Sequence, residues 1–245
     1  MTSLAATDAD GCEARGVFYC PEESGFYAQC LKSLIFMRDT TARTVVEFGS
    51  GDGSPVIEAL RESYFQGLVQ GFELNPVACE IANSSINVSG LRNRYRVYNE
   101  SFFTQRPEAD CLIANPPYLP APDNDIRMPL LYGGEDGSSL TNTLLSLGYE
   151  RTLLMISSYS NPIGTLRHAA AQGYAVHDFI IAPLTFGIYS SESKVKRRIE
   201  ALYKAGKAFY KGDIYLLIGV LFKKRGRIVS APGRATELTN ILIAL

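Results

Sequence analysis

The stretch Thr44-Val45-Val46-Glu47-Phe48-Gly49-Ser50-Gly51-Asp52-Gly53-Ser54-Pro55 decides the fold of this 245-residue chain. Its first five residues are mainly β-branched or aromatic, which favours a buried strand. Glycines then alternate with polar residues, and the proline that follows is favoured in the first turn of a helix. This order of strand, glycine turn and helix predicts an α/β fold in which a ligand binds at the helix N-terminus.

The spacing and charge of the glycine turn indicate its ligand. Ser54 stands where the dinucleotide-binding pattern G-x-G-x-x-G would have its last glycine, and the turn has no phosphate-binding lysine. Glu47 and Asp52 flank the turn, and carboxylates repel a pyrophosphate but attract the ammonium and sulfonium groups of S-adenosylmethionine. The predicted cofactor-binding residues here are Glu47, Gly49, Gly51 and Gly53.

Glu73 extends this predicted site. It follows the apolar stretch Leu68–Phe72 and lies 20 residues beyond Gly53, the separation at which an acidic side chain commonly accepts ribose hydroxyls. Each acid taken alone is also typical of a solvated loop. The order of strand, glycine turn, helix, strand and acid favours a cofactor site.

A second motif, Asn115-Pro116-Pro117-Tyr118, follows the apolar run Cys111–Ala114. A planar amide or amino nitrogen is a poor nucleophile, but it carries two N–H donors that a site can accept as the nitrogen becomes tetrahedral. The side-chain carbonyl of Asn115 and the backbone carbonyl of Pro116 suit that task. Two prolines stiffen the turn, and Tyr118 can stack on a flat substrate group. The alternative is a turn that merely ends a strand.

Together the segments EFGSGDG, FELNP and NPPY resemble the class I S-adenosylmethionine-dependent amino and amide N-methyltransferases over roughly residues 44 to 160. The resemblance implies a Rossmann-like α/β sheet of seven strands with helices on both faces and an antiparallel last strand. It implies S-adenosylmethionine as cofactor and places Glu100, after the third strand, near the adenine ring. No metal is expected, and no general base is needed, because the proton can leave to water after transfer.

Two further segments resemble the HemK-like glutamine N5-methyltransferases of translation release factors. One is LYGGEDG at 131–137, and the other is YCPEES at 19–24, which is similar to a lid segment. This resemblance favours a protein glutamine as methyl acceptor, with a translation factor as the candidate partner. N6 of adenine in RNA or DNA, and a non-catalytic binding module of the same fold, stay as alternatives.

Periodicity divides the chain into an N-terminal extension or lid at 1–43, a methyltransferase domain at 44–225 and a C-terminal tail at 226–245. The predicted strands are 44–48, 68–72, 94–98, 111–114, 152–157, 176–181 and 213–222. The predicted helices are 26–37, 55–62, 76–89, 139–148, 162–172 and 191–205.

Composition bounds the partners. The net charge is only −1, yet half of the 24 Lys and Arg residues lie in the segment 190–234, which holds three acids. The segment is either a solvated surface or a ledge that binds RNA or a ribosome-associated protein. Five cysteines without a C-x-x-C pair favour a reduced, cytoplasmic protein. No run is long enough to cross a membrane.

Overall fold

The computed structural model describes residues 16–18, 20–37, 43–224 and 233–245. They form an eight-stranded mixed sheet with α-helices, which confirms the predicted fold class with one strand more than the predicted seven. Tyr19, Arg225 and Arg227, which entered the predictions above, lie outside the described residues. Among the described helices, none is long and apolar enough to cross a membrane. The chain divides into two compact units, Met1–Ala114 and Asn115–Leu245.

The first unit contains four parallel strands in the order β3-β2-β1-β4. Their bounds are β1 Thr44–Phe48, β2 Leu68–Phe72, β3 Tyr95–Tyr98 and β4 Cys111–Ala114. The predicted bounds are confirmed for three strands, and β3 begins one residue later than predicted. Buried apolar side chains along β1 and β4 form the core of this unit, as expected for parallel strands that are covered on both faces.

Three helices follow β1, β2 and β3, and they are α2 Ser54–Arg61, α3 Pro76–Val88 and α4 Phe102–Gln105. Right-handed crossovers place α2 and α3 on one face of these strands and α4 on the other, because the strand order reverses after β3. The carboxyl ends of parallel strands lie at one edge, so the glycine turn, Glu73 and Glu100 all follow strands at that edge.

The N-terminal helix α1, Pro21–Leu31, packs against α2. It starts five residues before the predicted start at Phe26, because Pro21 occupies the first turn and Glu22 and Glu23 suit a helix N-terminus. A π-helical segment, Lys32–Phe36, continues it. The predicted single helix over 26–37 was therefore wrong in its start and in its helical type.

The second unit is built around an antiparallel strand. Its strands are β5 Arg151–Ser157, β6 Tyr174–Thr185, β7 Tyr210–Lys211 and β8 Ile214–Lys224. Strand β8 pairs antiparallel with both β5 and β6, which agrees with the antiparallel last strand that the resemblance implied. The additional strand is β7, which pairs with β8 through two residues only.

The helices of the second unit are α5 Ser139–Ser146, α6 Pro162–Ala171, α7 Ser193–Lys204 and α8 Gly233–Ile243, with a 3-10 turn at Pro129–Leu131. The first three were predicted with ends extended by one to two residues, which is where helices fray. The predicted tail contained no helix, whereas α8 occupies part of it. Strand β6 extends beyond its predicted range at both ends because it pairs with β8 from Tyr174 to Thr185, with a bulge between Val176 and Asp178.

Candidate active site

The glycine turn between β1 and α2 is open on one side and packed on the other. All three of its glycines have positive φ, at +67° for Gly49, +56° for Gly51 and +74° for Gly53, a region that other residues rarely adopt. A Cβ added at Gly49 or Gly51 would meet no described atom within 4 Å. A Cβ at Gly53 would lie 3.2 Å from Cβ of Ala82 and 3.3 Å from the ring of Tyr95. The turn therefore leaves space above two glycines while the third packs into the unit.

Glu73 fixes the shape of this turn. Its Oε2 accepts a hydrogen bond of 2.8 Å from the backbone N–H of Gly51, and its Oε1 accepts one of 2.8 Å from that of Asn75. The Asn99 amide donates to the backbone carbonyls of Glu73 and Leu74. Each carboxylate oxygen of Glu73 can accept a second bond, so a bond to a ribose hydroxyl stays a prediction. Glu100 is exposed, two residues after β3.

Glu47 lies below the turn, with 1% of its surface exposed. The Tyr95 hydroxyl donates to its Oε2 at 2.6 Å, and the Tyr27 hydroxyl donates to its Oε1 at 3.4 Å. Burial raises the pKa of Glu47 to about 7, from an ordinary value of 4.5. Tyr27 belongs to α1, so this carboxyl group connects the N-terminal helix to the strand that leads into the turn. Sequence reasoning missed both tyrosines because they are 20 and 48 residues away.

Asp52, the other acid at the turn, accepts hydrogen bonds from the first residue of the following helix, whose N-cap position is Gly53. Its Oδ1 accepts hydrogen bonds from the backbone N–H of Ser54 at 2.9 Å and from the Ser54 hydroxyl at 2.7 Å. Such a bond satisfies a donor that the helix itself leaves free.

Asn115 opens the second unit, in the motif Asn115 to Tyr118. Its side-chain Oδ1 is buried and accepts no hydrogen bond from any described residue. An unsatisfied buried acceptor costs about 1–3 kcal/mol, and native structures retain few of them. Pro116 is buried and Pro117 is half-buried. Tyr118 is buried, and its ring lies edge-on to that of Tyr159 with centroids 5.9 Å apart.

The segment Gly133-Gly134-Glu135-Asp136-Gly137 packs on the backbone of this motif. The Gly133 N–H donates to the Leu119 carbonyl at 2.9 Å, and the Leu119 N–H donates to the Leu131 carbonyl at 3.0 Å. A Cβ on Gly133 would lie 2.6 Å from Cα of Tyr118 and 2.8 Å from the Pro117 carbonyl oxygen. Only glycine allows this approach, so the segment flagged by resemblance supports the Asn115 motif sterically.

Asp136 anchors that segment. Its carboxylate accepts hydrogen bonds from the backbone N–H and the hydroxyl of Ser138, and from the side-chain amide of Asn161 at 2.7 Å. Burial alone would raise the pKa of Asp136, but these hydrogen bonds lower it. Asn161 itself has a φ of +50° and caps α6. The segment is thus fixed from both sides.

Part of the predicted basic ledge has a structural role instead. Lys194 Nζ contacts Asp123 Oδ1 at 2.6 Å, and the Arg198 guanidinium contacts Glu135 Oε1 at 2.8 Å. The helix α7 therefore holds the loop that follows the Asn115 motif. Lys224 donates to the Gln172 carbonyl, and Arg234 pairs with Asp178 and Glu237. These four residues of the segment 190–234 thus have partners within the described part of the protein, and binding of RNA or of a protein by this segment stays a prediction.

No protein-family model matches the chain, and no curated protein sequence does. Solved structures do match. A proposed RNA methyltransferase from Pyrococcus horikoshii is similar with a TM-score of 0.55 at 12% identity, over 85% of this chain and 87% of that one. A geranyl diphosphate methyltransferase in complex with S-adenosylmethionine has a TM-score of 0.51 at 11% identity, over 83% and 85%. The chain has the fold of the class I methyltransferases. At these identities the likeness concerns the fold alone.

Proposed function

We propose that this protein is an S-adenosylmethionine-dependent N-methyltransferase that acts on a planar amide or amino nitrogen, with a protein glutamine preferred. One observation carries the proposal. The buried Oδ1 of Asn115 accepts no hydrogen bond from a described residue, and it belongs to a motif whose polar groups suit a nitrogen with two N–H donors. A substrate amide would satisfy this acceptor.

The residues of the glycine turn fit the proposed cofactor. Open space above Gly49 and Gly51 gives a ligand close access to the backbone. Glu73 retains acceptor capacity for ribose hydroxyls, and the carboxylates of Asp52 and Glu73 favour a cation. We expect Gly49, Gly51 and Glu73 to hold S-adenosylmethionine, with Glu100 toward its adenine. When bound, the cofactor would supply a methyl group activated by a sulfonium.

In the proposed reaction, the Asn115 side-chain carbonyl and the Pro116 backbone carbonyl accept the two N–H groups of the substrate. Both bonds strengthen as the nitrogen gains positive charge, so they stabilise the transition state more than the ground state. The Tyr118 side chain orients the flat group, and the stiff proline pair limits movement of the carbonyls. Methyl transfer would form the N–CH3 bond as the S–CH3 bond breaks and leaves a neutral thioether, and the cationic nitrogen would then release a proton to water.

The glutamine preference is supported by the segment 133–137, which resembles that of the glutamine N5-methyltransferases and packs on the Asn115 motif. Adenine N6 presents the same pair of donors and is the second candidate. The exposed basic residues of α7 favour this candidate, because nucleic acid carries phosphate.

The test is the substitution Asn115→Ala, with Asn142→Ala as matched control. Asn142 is likewise half-buried, and its Oδ1 also lacks a described partner, but it lies on α5. Loss of one positioned acceptor typically reduces the rate about 100- to 1,000-fold. We expect that loss for Asn115→Ala alone, with S-adenosylmethionine affinity unchanged in calorimetry.

Transfer of labelled methyl groups into cell extract, followed by protease or nuclease digestion, gives the rate and the class of acceptor together. Turnover within about tenfold of the unchanged protein would contradict the role of Asn115. Release of the label by nuclease alone would replace glutamine with adenine as the acceptor.

A further inference from the structure

The outward side of α7 and the turn after it carry more basic than acidic side chains, and one of the basic residues, Lys207, also helps to lower the pKa of Asp136. Five basic side chains there are exposed and form no ion pair with any residue that the structure describes. They are Lys196, Arg197, Lys204, Lys207 and Lys211. Two exposed acids, Glu200 and Asp213, lie in the same region. We call these five residues the α7 basic face.

An aromatic pair lies within this face. Tyr203 is 51% exposed, and the centroid of its ring is 4.8 Å from that of Tyr210 with an interplanar angle of 47°. Tyr210 contacts Phe186 at 5.3 Å, and Phe186 contacts Tyr159 at 5.5 Å. Tyr159 in turn contacts Tyr118 at 5.9 Å. A continuous row of rings therefore connects the exposed Tyr203 to the proposed substrate-orienting tyrosine.

We infer that the α7 basic face and Tyr203 bind single-stranded RNA. Lysine and arginine side chains bind the phosphates, and exposed aromatic rings stack on unpaired bases, which is how sequence-tolerant single-strand sites are built. An acidic protein surface would match the charge but would not use an exposed tyrosine as a stacking platform. A duplex would not present its base faces to that ring. The inference rests on the proposed function only in one respect, namely the substrate-orienting role of Tyr118, the last ring of the row.

The opposite side of α7 connects such RNA binding to the Asn115 motif. Lys194 and Arg198 attach this helix to Asp123 and Glu135, in the loop that packs on the Asn115 motif. RNA on the outward side would therefore sit on the element that holds the proposed acceptor loop. It would either present its own base or bring a bound protein to the site.

The experiment is binding of fluorescein-labelled oligouridylate and oligoadenylate, measured by anisotropy across a salt series. The test variant is Lys196→Gln/Arg197→Gln/Lys204→Gln. Its matched control is Arg92→Gln/Arg96→Gln/Arg167→Gln, which makes the same charge change at exposed residues elsewhere. Each lost single-strand phosphate contact lowers the log-log salt slope by about 0.7. We expect a reduction of about 2 for the test variant and none for the control.

A second pair isolates stacking. Tyr203→Ala should weaken binding about 5- to 150-fold, and Tyr64→Ala, which removes a tyrosine that is 91% exposed in the first unit, should not. Asn115→Ala should bind RNA normally, which separates this inference from the proposed catalysis.

Equal losses in the test and control triples would show non-specific attraction and overturn the inference. The inference would also be overturned if the protein bound no RNA, or if it bound an RNA duplex at least as tightly as the single strand. The same holds if, of the probes measured by anisotropy, it bound only a labelled acidic peptide. Circular dichroism of each variant confirms that the fold is kept.

Discussion

Two glycine-rich turns in this molecule use glycine for opposite reasons. In the turn at 49–53, Gly49 and Gly51 have positive φ, and a Cβ on either would meet no described atom within 4 Å. In the segment 133–137, a Cβ on Gly133 would collide with three backbone atoms, and one on Gly137 would lie 2.5 Å from the Tyr118 carbonyl oxygen. The first turn keeps space open, whereas the second fills it.

This difference separates ligand binding from support. A turn that requires positive φ but is sterically open is suited to close approach by a ligand. In the other turn, a neighbouring stretch of backbone occupies the space that side chains would fill, so the glycines position that backbone instead. We therefore expect the first turn to bind the cofactor, whereas the second supports the shape of the Asn115 motif.

The largest expected effect comes from Gly133→Ala. The added methyl group would lie 2.6 Å from Tyr118 Cα, 2.7 Å from the Gly137 carbonyl oxygen and 2.8 Å from that of Pro117, so backbone must move. We expect a loss of about 3 kcal/mol or more in the free energy of unfolding, together with loss of methyl transfer. Urea denaturation measures the first and labelled-methyl transfer the second.

Gly51→Ala is the comparator for that substitution. The added methyl group would meet no described atom within 4 Å, but alanine would have to adopt a φ of +56°, which costs about 1–2 kcal/mol of stability. We expect this substitution to reduce the affinity for S-adenosylmethionine more than it reduces stability. Gly187→Ala, with neither constraint, should be near neutral. If Gly51→Ala destabilised the fold more than Gly133→Ala, the two turns would not differ as described.

Sequence patterns predicted the first unit better than the second. The strands β1, β2 and β4 have the predicted bounds because each is a short apolar run that ends at a polar or glycine residue. The two residues of β7 carry no periodicity, so hairpin pairing with β8 alone creates that strand. Net charge by segment also could not show that Lys194 and Arg198 have acidic partners, since these lie more than 60 residues away in sequence.

The proposed site residues stay predictions, and the sequence indicates their positions to different extents. The glycine turn, Glu73 and the Asn115 motif are local patterns whose chemistry follows from residue type and spacing. The position of Glu47 was not predictable, because Tyr27 and Tyr95 bury it from other elements. An acid that sequence places beside a ligand thus lies under the turn, where its protonation affects stability.

The buried carboxyl group of Glu47 should make the stability of the protein depend on pH. Its pKa of about 7 exceeds the ordinary value of 4.5, so its stabilising contribution is complete below pH 4.5 and is lost as pH rises through 7. The shift corresponds to about 3 kcal/mol across that window. Glu47→Gln removes the titration, so the difference in unfolding free energy between the unchanged protein and the variant should fall by about that amount.

Urea denaturation of both proteins at pH 5 and pH 8 measures this difference. Parallel stability curves for the two proteins would contradict the burial of a titrating Glu47. The glycine segment 133–137 offers a contrast, since the pKa of its Asp136 is lowered and that group should stay ionised at both pH values.

The smallest expected effect of these site substitutions on stability is that of Glu73→Ala in the open turn. The substitution removes the acceptor of the Gly51 N–H and the predicted partner of the ribose hydroxyls. Hydrogen bonds to charged groups contribute about 1.5–3 kcal/mol, so S-adenosylmethionine affinity should fall about 10- to 150-fold, as measured by calorimetry. Stability should fall by only about 1 kcal/mol, because water can reach the freed N–H of this half-buried turn.

Glu80→Ala, at an exposed acid on α3, is the control. Unchanged affinity in Glu73→Ala with an intact fold would mean that the carboxylate only shapes the turn, whereas a large loss of stability would place this turn, like the segment 133–137, among the supports of the fold.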